Sequence, residues 1–142
     1  MSRADSKHAW YINNREACLE RSKRQKENYI PKHNRDITSR LKYLCTKAKK
    51  RKWEIDFDHS YLLEVWNKQN GSCAYTGLPL LLKANHPESV SLDRIDSQIG
   101  YLKGNVQLIC FVVNKMKQEF SEDQFFYYCS LITNNKMKNT QE

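Results

Sequence analysis

Two short apolar runs, VSLDRI (residues 90–95) and NVQLIC (105–110), stand on either side of a charged, glycine-bearing stretch. Each has the length and residue types of a β-strand, and the connection of roughly ten residues carries Gly100 and Gly104, so the pair predicts a hairpin. FVVNKMKQEF follows at once and predicts a helix with Asn114 in its first turns. Strand, loop, strand and helix make a ββα unit. Within it Asp93, Arg94 and Asp96 crowd together. A purely structural hairpin has no use for that concentration of charge, whereas a phosphate-handling metal site does.

Asp93 on the first strand and Asn114 on the helix can converge in such a unit. Two protein oxygens, with the remaining positions left to water and phosphate, suit magnesium, which keeps much of its hydration. An ion there polarises a phosphoryl group and stabilises the leaving oxygen. Arg94 offers a fixed fork for the remaining phosphate charge. Along an ideal strand Asp93 and Arg94 point to opposite faces, so the strand is expected to end, twist or bulge there. Asp96 reads as a turn-capping residue before Ser97.

Charge is distributed unevenly. Residues 1–52 contain 16 lysines and arginines against 5 acids, residues 53–142 contain 8 against 11, and the net charge is +8. A basic arm of this kind suits a polyanion, because each neutralised phosphate releases condensed counterions. Mean hydropathy is −0.82, and no run approaches the roughly 20 apolar residues of a membrane span. The opening MSRADSKHAWYINN lacks the apolar core of a signal peptide, so the expected location is the cytoplasm, that of the host cell if the gene belongs to a phage. The five cysteines form no CxxC pair and read as reduced, buried thiols.

Pro31 ends a charged, weakly helical start. From about Asn34 the spacing of Ile37, Leu41, Leu44, Cys45 and Ala48 predicts an amphipathic helix, closed by the basic run KAKKRK. A second helix is expected after Asp58 or Ser60, ending at Asn70-Gly71. Ser121 with Gln124 resembles a capping box that opens a last helix with Phe125, Tyr128, Cys129 and Ile132 at core spacing. Trp53 and Trp66 read as core residues, and Trp10, Tyr11 and Tyr29 as candidates for stacking on bases.

The run from Cys73 to Lys117, SCAYTGLPL to SLDRIDSQIGYLKGNVQLICFVVNKMK, resembles the HNH (ββα-metal) endonucleases, and the helical lead-in from residue 35 is similar to that of their phage and bacterial members. The resemblance implies Asp93 and Asn114 as metal ligands, Asn105 as the asparagine bracing the loop, and Lys117 as a helical basic residue near the scissile strand. The usual Asp-His is Asp-Arg here, and an arginine is a poor base. Restriction enzymes of the family that share this change carry a loop tyrosine, which corresponds to Tyr101. His86 is the competing base. Many relatives also hold a structural zinc with four thiolates. Here the corresponding positions are Cys73, Thr76, Cys110 and Val113, so structural zinc is not expected, and burial of Leu108, Phe111, Val112 and Val113 is expected in its place.

The expected fold is thus α+β: a ββα hairpin-helix core (53–134) against flanking helices, a basic helical arm (1–52) and a short tail (135–142). The expected function is metal-dependent hydrolysis of double-stranded DNA, with Mg2+ or a related ion such as Mn2+ as cofactor. Arg94, Tyr101, Asn105 and His86 are the catalytic candidates. Lys47, Lys49, Lys50, Arg51, Lys52, Lys103 and Lys117 are the nucleic-acid contacts. No membrane is expected, and a homodimer is compatible with the sequence. The alternative is a non-catalytic nucleic-acid-binding protein on the same fold.

Overall fold

The computed structural model describes residues 14–17, 20 and 36–139. Trp10, Tyr11, Tyr29 and most of the basic start lie outside the described residues. The chain divides into two compact units, 1–31 and 32–142. The second contains, in order, α1 (Ile37–Lys49), α2 (His59–Lys68), β1 (Val90–Arg94), β2 (Val106–Cys110), α3 (Phe111–Lys117) and α4 (Glu122–Asn139). Among the described residues no helix is long and apolar enough to cross a membrane.

Asp36 caps α1 by accepting from the Ser39 backbone N–H and hydroxyl, each at 2.8 Å. The predicted stripe Leu41, Leu44, Cys45 and Ala48 is buried. Arg40, also buried, donates to the Val90 carbonyl at 3.2 Å and so ties α1 to β1. The boundary expected after residue 52 therefore falls beyond a helix that already belongs to the core. Asp58 caps α2 through the Ser60 N–H at 2.9 Å, and α2 gives way to Asn70 (φ 52°) and Gly71 (φ 66°), both left-handed. Between them and the helix, Gln69 turns its amide to β2. It donates to the Leu108 carbonyl at 2.7 Å and accepts from the Leu108 N–H at 3.0 Å, as a neighbouring strand would.

The hairpin is antiparallel with regular register from Val90↔Cys110 to Arg94↔Val106. Alternation puts Val90 and Leu92 on one face and Ser91 and Asp93 on the other. β1 stops at Arg94, where the sequence called for an irregularity. The loop from 95 to 105 is tied to the chain ahead of α2: Tyr101 donates its N–H to the Glu54 carbonyl at 2.7 Å and accepts from Asp56 N–H at 3.3 Å. That approach leaves no room at Gly100, where a Cβ would lie 2.6 Å from the Glu54 oxygen.

Three expectations about packing are corrected. Phe111 and Val112 are 44% and 40% exposed, because α3 turns its other side to the sheet; Leu108, Ile109, Val90 and Cys110 fill the interior instead. On α4 only Phe125 is buried, while Tyr128 and Ile132 face outwards. Trp53 is exposed rather than in the core. The helix predicted through Phe120 stops at Lys117, since Gln118 adopts a left-handed conformation (φ 47°). The capping box at α4 is formed, with Ser121 N–H to Gln124 Oε1 and Gln124 N–H to Ser121 Oγ both at 3.2 Å.

Candidate active site

α3 crosses the Ser91–Asp93 face of the hairpin and binds it with two side chains one turn apart. Asn114 donates from Nδ2 to Ser91 Oγ at 2.7 Å and to the Leu92 carbonyl at 3.1 Å. A carbonyl can only accept, so this contact fixes the amide orientation and leaves Asn114 Oδ1 as the atom available to a ligand. Lys117 donates to Asp93 Oδ1 at 3.1 Å and to the Arg94 carbonyl at 2.7 Å. Asp93 Oδ2 accepts from Gln107, its register partner, at 3.0 Å.

The position of Lys117 corrects an expectation. Its side chain is 0% exposed and that of Asp93 4%. A fully buried ammonium cannot reach a DNA phosphate, and it serves here as the internal counter-charge of Asp93. A buried carboxylate needs such a partner, because losing hydration costs an isolated ion far more than folding can supply.

Asp93 and Asn114 open on one small pocket of about 50 Å3, lined also by Arg51, Arg94, Tyr101 and Gln118. The Tyr101 ring is 2% exposed, and its hydroxyl oxygen accepts from Arg51 at 2.6 Å. Arg94 folds back from the strand end, with its guanidinium carbon 4.1 Å from the Trp53 ring centre and 5.4 Å from that of Tyr101. It also donates to the Ile99 carbonyl at 3.2 Å. Stacking of this kind fixes the plane of the fork. Asn105 stands behind the pocket: it donates to the Asp96 and Gly100 carbonyls at 3.0 and 2.9 Å and accepts from Asp96 N–H at 2.9 Å.

His86 is not brought here. It precedes β1, at the far end of the strand from Arg94, and its Nδ1 accepts from the Glu88 N–H at 3.1 Å. It does not line the pocket. Tyr75 is the aromatic residue whose phenol answers to Asp93: burial and the Asp93 charge both push it well above the ordinary tyrosine range. Lys103 lies over the Tyr61 ring, 5.7 Å from its centre, and is not among the residues lining the pocket.

Arg51 and Asn114 also line a larger groove of about 450 Å3. Arg40, Lys47, Arg51 and Lys115 line it together with Tyr43 and Phe111. Lys49, Lys50 and Lys52 are exposed but do not line it. Sequence reasoning placed Arg51 on a basic surface and missed its bond to Tyr101, which joins residues fifty apart. Gln107 was missed as well, though the register of two short strands is signal enough to set it opposite Asp93.

At the other end of the hairpin Cys73, Thr76 and Cys110 meet. Cys73 Sγ accepts from the Cys110 N–H at 3.3 Å, and Thr76 Oγ1 lies 3.8 Å from Cys110 Sγ. Burial raises the Cys73 thiol, but hydrogen bonds from Thr76 and Cys110 outweigh it and bring it below the usual range; burial raises Cys110. Among the described residues no group of three or more His, Cys, Asp or Glu side chains is placed to hold a metal.

A two-stranded antiparallel hairpin closed by a short helix and set against further helices is an α+β fold of the HNH type. Its likeness is to the rare-cutting HNH restriction endonuclease PacI, with a TM-score of 0.54 over 80% of this chain and 93% of that one, at 18% identity. In sequence, 63% of the chain matches an uncharacterised 29.0 kDa protein from the dda-modA intergenic region of Enterobacteria phage T4, at 29% identity over 90 residues. The match spans 35% of that phage protein's length. No protein-family model matches.

Proposed function

We propose that the chain is a metal-dependent DNA endonuclease that hydrolyses phosphodiester bonds at the pocket beside Asp93. The observation that carries this is the meeting of Asp93, Asn114, Arg51, Arg94 and Tyr101 around one pocket at the foot of a cationic groove. Asp93 and Asn114, through its Oδ1, are a hard oxygen pair suited to a hydrated divalent ion, and these two residues would hold it. Such an ion, when bound, supplies Lewis acidity at the phosphoryl oxygen and charge neutralisation at the leaving oxygen. Arg94, held by Trp53, orients and neutralises a non-bridging phosphate oxygen. Tyr101, in its deprotonated form, is the candidate proton acceptor for the attacking water, with the Arg51 guanidinium directed at its oxygen. Asn105 positions the loop that carries Tyr101. The groove beyond holds the duplex backbone.

Incubation with supercoiled plasmid and Mg2+, against EDTA, tests this. Cleavage is expected with Mg2+ and none with EDTA. Asp93→Asn is expected to lose cleavage while retaining binding in a gel-shift assay. Cleavage by that variant at the wild-type rate, with a native circular dichroism spectrum, rules the assignment out.

One observation favours the second reading, a non-catalytic nucleic-acid-binding protein: Lys117 already neutralises Asp93. Binding without nicking, over a series of divalent ions, would establish it.

A further inference from the structure

We propose that the Asp93 pocket holds a divalent ion tightly only when a DNA phosphate shares it, so that metal and nucleic acid bind as a coupled pair. The inference rests on the endonuclease reading above. Charge is the first ground for it. Arg51, Arg94 and Asp93 line the pocket, and Lys117 lies against Asp93 Oδ1 at 3.1 Å. Three cations thus surround one carboxylate, the only acid among the described residues lining the pocket, and the local net charge is +2. Neither guanidinium is loose: Arg51 is bonded to the Tyr101 hydroxyl and Arg94 lies on the Trp53 ring. A lone divalent cation entering there meets more repulsion than one carboxylate offsets.

Ligand supply is the second ground. Asp93 already accepts from Lys117 on Oδ1 and from Gln107 on Oδ2, and Asn114 adds one neutral oxygen. Among the described residues no group of three or more His, Cys, Asp or Glu side chains could complete a metal cage. Magnesium-like ions take about six oxygens, so most of them must come from outside the protein. A phosphodiester supplies what is missing on both counts. Its negative charge suits the two guanidinium forks, and its non-bridging oxygens complete the ion's shell. Each ligand thereby relieves the repulsion that the other meets alone. Arg40, Lys47 and Lys115 of the larger groove act in the same sense, drawing in the backbone and turning away the free ion. Coupling of this kind is reciprocal, so the ion tightens DNA binding by the same factor by which DNA tightens the ion.

Titration of the full chain with Mn2+, followed by the loss of the free ion's EPR signal, tests the proposal. It is run with and without a short duplex, and the uptake of the duplex alone is subtracted. The chain–duplex complex is expected to bind Mn2+ about 100-fold more tightly than the free chain, near the upper end of ordinary coupling between two ligands. Asp93→Asn should lose that ion from the complex. Arg94→Gln removes a cation without touching Asp93 and is expected to raise the free chain's Mn2+ affinity about tenfold. Lys117→Met should do the same; where its circular dichroism spectrum is not native, Arg94→Gln decides. Equal Mn2+ affinity with and without duplex, or no gain in Arg94→Gln, overturns the coupling and leaves the endonuclease reading to the plasmid assay. An absence of any Asp93-dependent Mn2+ overturns the coupling too, and if the plasmid also stays intact the endonuclease reading falls with it.

Discussion

The ion pair between Lys117 and Asp93 makes a substitution of either partner a test of folding as well as of chemistry. Removing either partner leaves the other buried and uncompensated, at a cost of about 3–5 kcal/mol. Asp93→Asn and Lys117→Met should therefore each lower the midpoint of urea unfolding. The double variant should lose clearly less than the two single losses added together, because no charge is then stranded. Additive losses would mean that the two groups do not share one interaction. Tyr101→Phe separates chemistry from folding more cleanly. The ring stays packed and only the hydroxyl facing Arg51 is lost, so stability should change little. Single-turnover cleavage should fall about 100-fold or more, the usual contribution of a positioned proton acceptor. An unchanged rate would remove Tyr101 from the chemistry. Asp93, Arg94 and Asn114 were legible as a group because strand and helix spacing alone bring them together. The inward turn of Lys117 was not, since an amphipathic reading counts a lysine as surface.

At the level of elements, α2 and α4 were readable from their own punctuation (Asp58, Asn70-Gly71 and the Ser121–Gln124 box), α1 from its apolar stripe, and the two strands from apolar runs on either side of a glycine-bearing loop. What escaped is what depends on contact between segments distant in sequence. Trp53 reads as core by type, yet it is exposed as the platform for Arg94. Phe111 and Val112 read as core by hydrophobicity, yet α3 turns Asn114 and Lys117 inwards instead. Gly100 marks the closest of these contacts. Gly100→Ala forces the loop away from Glu54, and overpacking of this sort costs about 1–3 kcal/mol. The thermal midpoint should fall, and cleavage should fall further than stability alone explains, because Tyr101 follows directly. A variant as stable as wild type would show that the loop can yield without strain.

On the scale of the described fold, part of the positive charge segregated in the sequence, that of Arg40, Lys47 and Arg51, lines one groove together with Lys115. Each lysine that neutralises a phosphate adds about 0.9 to the slope of log affinity against log salt. Lys47→Gln with Lys115→Gln should thus reduce the slope by about 2, measured by fluorescence anisotropy on a short duplex. No change in slope would place the nucleic acid elsewhere. The bond from Arg51 to Tyr101 has a practical consequence for anyone trimming the gene. A shortened chain starting at Trp53 would still encode both strands, the carboxylate and the amide, and by motif alone would look sufficient. It would lack the guanidinium that meets the phenol and the helix that walls the groove, so catalytic competence should vanish at a cut that removes none of the recognisable motif.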